Sequence, residues 1–159
     1  MTPREFLRLV VRPNVAEAEA DVSDVRLTYN AVMAVDALAA HVFHWCKKHD
    51  PERVRGLVDD TWFRAECGKN RANVQMLHDL AKASKHVELE RGKPTIKTFA
   101  DVQPRGFGYG EGVYGGGPYG GGDQVSVMVD GAKIQVGWLM RQTIDFYVAE
   151  MDAAGVPET

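Results

Sequence analysis

The stretch VSDVRLTYNAVMAVDALAAHVFHWCKK, residues 22–48, contains neither glycine nor proline. Its apolar residues recur at intervals near three and four, at Val25, Tyr29, Val32, Ala39, Val42, Phe43 and Cys46. This spacing predicts a helix of about seven turns that is apolar around much of its circumference and therefore largely buried. Ser23 or Asp21 is the expected cap. Pro51 ends the helix, because the residue before a proline is pushed out of the helical conformation.

Further helical patterns flank this long helix. Residues 52–67 predict one or two short helices, with Asp59 or Asp60 as a cap, and residues 70–86 predict a third. A last amphipathic helix is expected from Trp138 onward. Because long helices with short connections pack as antiparallel bundles, we place a bundle at residues 15–90 and 138–153 of a single domain, 1–159.

The part of the chain between these two bundle segments has a different pattern, and we expect a β-arm at residues 94–137. TIKTFADV, residues 95–102, alternates like a strand, and residues 124–136 alternate on both sides of an Asp130-Gly131 turn, which is a strong hairpin signal. Ten of the sixteen glycines lie in residues 106–122. Glycine loses the most entropy on ordering, so we expect a loop at residues 103–122. The predicted fold is mainly α, a helical bundle with a small β-hairpin arm carrying a Gly/Tyr-rich loop.

Composition excludes several classes of protein. The chain has 159 residues, 45% hydrophobic and 26% charged, which is typical of a folded domain and not of a disordered chain. Its two cysteines cannot form a disulfide framework or a zinc site, which favours a reducing, cytoplasmic compartment. No apolar run approaches the ~20 residues that span a bilayer, so no membrane partner is expected.

The predicted helix at residues 70–86 carries a polar stripe. With Arg71 at 0°, the side chains of Gln75, His78, Lys82 and Lys85 fall within about 40° of it. A neutral histidine beside an arginine can take a 2′-hydroxyl proton while the guanidinium stabilises charge on the phosphate, as RNA cleavage requires. Lys82 and Lys85 would then contact phosphates. The alternative is a solvent-facing stripe of polar side chains without a catalytic role.

A family resemblance rests on the same residues. RANVQMLH, from Arg71 to His78, is an arginine, six residues and a histidine, and it resembles the R-x(4–6)-H motif of HEPN domains. The stretch from Leu77 to His86 is also similar to helix ends in uncharacterised bacterial HEPN-like proteins. The resemblance implies a helical bundle and, in many members, a metal-independent ribonuclease site across a homodimer interface. Arg71 and His78 would be its catalytic residues.

Four aromatic residues, Phe107, Tyr109, Tyr114 and Tyr119, are spaced through the glycines of residues 106–122. Such side chains can contact a partner or fold back onto the bundle. The repeats are similar to stretches in phage-tail and other assembly proteins, which suggests a phage or prophage context. We therefore expect a non-enzymatic interaction or assembly protein that binds a second copy or another protein through these aromatics. The alternative is a HEPN-like ribonuclease or RNA-binding protein.

A metal site is a further candidate at His41 and His44, which lie three residues apart on the long helix. Two such histidines can share a metal ion when further ligands come from a second helix. Because no matching pair of ligands is evident elsewhere, we expect no metal and no cofactor.

Overall fold

The computed structural model describes residues 1–86, 89, 94–106 and 122–158. The helices are α1 (Pro3–Phe6), α2 (Arg12–Ala20), α3 (Val25–His49), α4 (Asp60–Gly68), α5 (Ala72–Lys85) and α6 (Val136–Ala153). A π-helical turn, Leu7–Val11, joins α1 to α2, and 3-10 helices lie at Pro51–Val54 and Phe99–Asp101. The strands are β1 (Gln103–Arg105), β2 (Gln124–Val129) and β3 (Ala132–Gln135). The prediction of a mainly helical protein with a small antiparallel sheet is confirmed.

The long predicted helix is present as α3, with a different cap. The side chain of Asp24 accepts a hydrogen bond from the Leu27 amide at 2.9 Å, whereas Ser23 and Asp21 bond to each other. The prediction of either residue as the cap is therefore wrong. The helix ends at His49, ahead of Pro51 as predicted.

The remaining helices show smaller differences from prediction. Asp59 caps α4 by accepting hydrogen bonds from the amides of Thr61 and Trp62, which confirms one of the two predicted caps. Helical structure begins at Pro3, well before the predicted bundle, because Thr2 and Glu5 form a capping box at that end. The last helix begins at Val136, directly after β3, and not at Trp138.

The sheet is antiparallel with the order β1-β2-β3. The predicted hairpin is confirmed, since Asp130 and Gly131 have φ values of 49° and 81° and connect β2 to β3. Two consecutive residues with positive φ are characteristic of the hairpin turn whose twist matches that of the strands. The central strand β2 is almost entirely buried, and the Val125 amide donates to the Val22 carbonyl at 2.8 Å.

The predicted strand at residues 95–102 is absent. The Thr98 hydroxyl accepts a hydrogen bond from the Ala100 amide at 3.2 Å, which starts the 3-10 helix Phe99–Asp101 instead. The Thr95 amide is bound by the Asp79 carboxylate at 2.8 Å, and Ile96 is buried in the core. The alternation in this stretch therefore reflects a segment docked on α5 and not a ladder of strand pairs.

The hydrophobic core lies between α3, α5 and α6 and extends to β2. Val32 and Phe43, two of the apolar residues of the long predicted helix, are buried, as is Leu80, while Ile144 is only partly buried against the core. Among the described residues, no helix is both long and apolar enough to cross a membrane.

Candidate functional site

A group of four polar side chains lies inside the helical core. One comes from each of four helices: Asp36 from α3, Arg64 from α4, His78 from α5 and Tyr147 from α6. Asp36, His78 and Tyr147 are buried, at 5%, 1% and 0% exposure. We call these four residues the enclosed cluster. Polar groups in a core are costly unless they are paired, so the contacts within the cluster decide what it does.

His78 is held at both ring nitrogens. Its Nδ1 lies 2.6 Å from Asp36 Oδ1, and its Nε2 lies 2.9 Å from the Tyr147 hydroxyl. An ionised carboxylate can only accept, so Nδ1 carries the hydrogen that is donated to Asp36. In the neutral ring Nε2 then accepts a hydrogen bond from the Tyr147 hydroxyl. Neither ring nitrogen is left to take a proton from a substrate.

Asp36 also pairs with cations of α4 and α5. Arg64 Nε is 3.2 Å from Asp36 Oδ1, its Nη2 donates to the Asp36 carbonyl at 3.2 Å, and its Nη1 pairs with Asp60. Lys85 Nζ is 3.9 Å from Asp36 Oδ2. Burial raises the pKa of Asp36, but the hydrogen bond from His78 and the charges of His78, Arg64 and Lys85 outweigh it, so the net pKa is below the ordinary value. The carboxylate is therefore ionised at neutral pH.

The pKa values of two nearby acidic groups, the Tyr147 hydroxyl and the Cys67 thiol, are shifted upward. Burial, followed by the charges of Cys67 and Asp36, raises the pKa of Tyr147 well above its usual value of 10.0. Burial, followed by Glu150 and Glu66, raises the pKa of the Cys67 thiol to about 12. Both groups stay protonated at neutral pH, so Tyr147 can donate its hydrogen bond to His78 and Cys67 is a poor nucleophile.

The order carboxylate, imidazole, hydroxyl is the one that hydrolases use to activate a nucleophile. Here the hydroxyl and the imidazole are sealed inside the bundle, and a substrate would reach them only if the helices separated. The same contacts connect α3 to α4, α5 and α6 through complementary charges and fixed hydrogen-bond geometry. The arrangement is therefore suited to fixing how the helices pack, which is an attested role of buried polar groups in helical proteins.

The structure separates the residues predicted to act on RNA. The prediction of His78 on an exposed polar stripe is wrong, because the ring is 1% exposed and faces the core. Arg71 is exposed at the start of α5, and its guanidinium carbon lies 4.8 Å from the centre of the Phe146 ring. Lys82 is half-buried and Lys85 is exposed, with Lys85 pairing to Asp36. Of the four residues predicted to act on RNA, His78 and Lys85 share a partner, because both contact the Asp36 carboxylate.

The error comes from the helical wheel, which placed His78 on the polar stripe of the predicted helix at residues 70–86. The helix packs against both α4 and α6, and Asp79 is bonded to the segment at Thr95. Residues Val74, Leu77, His78 and Ala81, at spacings of three and four, therefore form a second buried face. His78 belongs to this buried face, although Arg71, Gln75, Lys82 and Lys85 lie near it on the helical wheel.

Sequence analysis missed Asp36, Arg64 and Tyr147. One signal was available, since Asp36 is the lone acidic residue in the apolar run AVMAVDALAAHVF, and a charge there must find a partner when the helix is buried. Its partners lie in three other helices, so no local pattern in the chain identifies them.

The predicted partner-binding residues Phe107, Tyr109, Tyr114 and Tyr119 lie outside the described residues. In the described part of the chain, no three or more His, Cys, Asp or Glu side chains are grouped to hold a metal ion. No protein-family model matches the chain, and neither a curated protein nor a solved structure matches it. The resemblance to HEPN domains stays a prediction.

Proposed function

We propose that this protein is a non-enzymatic interaction or assembly protein whose partner surface is the Gly/Tyr segment, defined as residues 106–122. The observation that carries the proposal is the strand register at the two ends of that segment. Arg105 and Gln124 are register partners in the β1-β2 ladder. Adjacent strand ends need only about 2–5 connecting residues, so the chain devotes many more residues to this connection than closure of the hairpin requires.

The segment is attached to the protein body through β2 and through a contact of Gly106. The β2 residues Val125 and Val127 are buried, and the Val125 amide bonds to the backbone of Val22. At the other end, the Gly106 carbonyl accepts a hydrogen bond from Lys133 Nζ at 2.7 Å. A binding segment that emerges from fixed strands loses less freedom on binding than one on a loose tether, which favours affinity.

The aromatic composition of the segment is the second support. Phe107, Tyr109, Tyr114 and Tyr119 supply contact area, and tyrosine combines a large apolar ring with a hydrogen-bonding tip, as interface residues do. We extend the proposal to a bundle related to HEPN domains, for which the RANVQMLH motif and the helical order are the support. The ribonuclease alternative has less support, since His78 has both ring nitrogens engaged.

The experiment replaces residues 106–122 with Asn-Gly, which leaves the short connection Asn-Gly-Asp123 between the register partners. A second variant keeps the length and changes only Phe107, Tyr109, Tyr114 and Tyr119 to serine. We expect both variants to fold and to lose the self-association or the partner that the wild-type chain shows. The measurements are sedimentation velocity and cross-linking from a photoreactive residue at position 114 in the host cell.

The control changes exposed aromatic Trp62, which lies outside the segment, to serine. This variant should keep the wild-type assembly. The proposal is wrong if the Asn-Gly replacement has the same sedimentation profile as the wild type and if a photoreactive residue at position 114 of the wild type captures no protein.

A further inference from the structure

A surface pocket shares no described lining residue with the enclosed cluster. It is an open cavity of about 360 Å³ between residues 1–3 and the C-terminal half of α3. Five positions of one helical stripe line its wall, namely His41, His44, Trp45, Lys48 and His49. Their spacing of three and four residues places them on one face of α3. The volume is within the range of small-molecule sites.

We propose that this pocket is a binding site for a small anion of the phosphate type, either free or as a phosphomonoester. Among the described residues, three imidazoles and the Lys48 ammonium group line the cavity, and no Asp or Glu does. Imidazolium and ammonium groups donate charge-assisted hydrogen bonds to phosphate oxygens. The described lining residues all lie outside the Gly/Tyr segment, so the proposal does not rest on the proposed function.

Two of the imidazoles are oriented before any ligand arrives. The His41 ring stacks on Phe6 at 3.8 Å between ring centres, and the His49 ring stacks on Trp45 at 4.0 Å. These contacts hold the rings by their faces and leave their edges, where the nitrogens are, to other partners. A ligand that meets pre-oriented donors avoids part of the ordering cost of binding.

The carboxylates of the surrounding elements are already engaged. Glu5 accepts from the Thr2 amide at 2.7 Å, Asp50 pairs with Arg53, and Asp60 pairs with Arg64. Asp60 is also close enough to His44 for the two charges to interact. The neighbouring cation Lys47 is directed elsewhere, since its Nζ lies 5.8 Å from the centre of the Phe43 ring and it does not line the cavity.

Anion binding should strengthen as His41 becomes charged. Burial, followed by the Met1 amino group and His44, holds the pKa of His41 below its ordinary value of 6.5. At neutral pH this ring is largely neutral, and acidification adds positive charge to the cavity wall. Among the described residues, the charged groups near the histidines are Lys48 and the Met1 amino group, with Asp60 near His44.

The test is a titration of the histidine ring signals by NMR at constant ionic strength. Sulfate is the probe for the pH comparison, because it stays a dianion at both pH 5.5 and pH 7.5. We expect saturable shifts of His41, His44 and His49, with tighter binding at pH 5.5. Lys48→Gln and His44→Gln should each weaken binding by about threefold or more, which corresponds to the upper range for exposed ion pairs.

Lys47→Gln is the matched control, since it removes an equal charge from the next position of α3 and should leave the affinity unchanged. A thermal melt is a sufficient fold test for the variants at His44 and Lys48, because both side chains are exposed. Shifts that do not saturate, or equal weakening by Lys47→Gln and Lys48→Gln, would overturn the proposal.

A second arm distinguishes the two sources of the phosphate group. Inorganic phosphate and phenyl phosphate are compared at one pH with the wild-type protein. Tighter binding of phenyl phosphate would assign the site to a phosphomonoester whose ring lies against the aromatic wall at Trp45. Equal affinity would assign it to the free anion, and the absence of saturable binding by both would overturn the site.

Discussion

Two faces of α3 carry polar residues, and these residues have opposite roles on the two faces. Asp36 belongs to the enclosed cluster, where every contact is made inside the protein. His41 follows five residues later, which at 3.6 residues per turn rotates it roughly 140° around the helix, and it lines an open cavity. Position around the helix therefore decides whether a polar residue stabilises the fold or is left available to a ligand.

The energetics of the two faces should differ in the same way. In the enclosed cluster, removal of one partner leaves another charge or donor buried without compensation, which is far costlier than loss of the contact itself. Around the cavity, water replaces any contact that is removed. Substitutions in the cluster should therefore affect stability, and substitutions of the exposed residues on the cavity wall, His44 and Lys48, should affect ligand binding alone.

The largest effect is expected for Asp36→Ala. The substitution leaves Arg64 and His78 without their shared carboxylate, and breaking a buried ion pair in this way costs about 3–5 kcal/mol. Urea unfolding followed by circular dichroism measures the loss. The control is Asp145→Ala on the exposed side of α6, which should change stability by no more than about 0.5 kcal/mol. Equal losses for the two variants would show that the cluster does not stabilise the bundle.

His78→Gln should have the next largest effect. Glutamine carries a donor and an acceptor at the end of an unbranched chain and not at the Nδ1 and Nε2 positions of the ring. We therefore expect at least one buried partner to be left unsatisfied, at a cost of about 1–3 kcal/mol. His44→Gln, on the exposed side of the neighbouring helix, is the matched control and should leave the unfolding midpoint unchanged. A stable His78→Gln variant would mean that the ring is not committed to the core.

The same variant tests the ribonuclease alternative. We expect the wild-type protein to leave single-stranded RNA uncut at neutral pH without metal, because both His78 nitrogens are engaged. Gel analysis of several labelled RNAs is the measurement. Cleavage by the wild type that disappears in both His78→Gln and Arg71→Ala would restore the ribonuclease function and contradict the structural role.

Tyr147→Phe should have a smaller effect, because it removes one hydroxyl and keeps the packing of the ring. The His78 Nε2 atom then lacks its donor, and the loss of a neutral buried hydrogen bond costs about 1 kcal/mol. The control is Tyr29→Phe, whose ring packs edge-on against Phe99 and is outside the cluster. A gain in stability for Tyr147→Phe would show that burial of the hydroxyl costs more free energy than its hydrogen bond to His78 contributes.

The helices and the hairpin could be predicted because their signals are local. A run without glycine or proline defines α3, and Asp130-Gly131 defines the turn between β2 and β3. The enclosed cluster could not be predicted, since Asp36 meets Arg64, His78 and Tyr147 only after four helices have packed. For the same reason the cavity was missed, because its second wall comes from residues 1–3, far from α3 in the chain.

The smallest effect concerns acid stability, and its sign follows from the pKa of Asp36. The folded pKa lies below the ordinary value of 3.8, so the unfolded chain binds a proton at a higher pH than the folded protein does. The contribution of this carboxylate is therefore complete above about pH 3.8 and is lost as the pH falls through the folded pKa. Asp36→Asn has no such titration, so its free energy of unfolding should fall less steeply than that of the wild type below pH 4. Urea unfolding between pH 5 and pH 2.5 measures both slopes. Parallel curves would show that the acid response comes from other carboxylates. Asp60 is one such group, since its pKa is also lowered, chiefly by its hydrogen bond with Arg64.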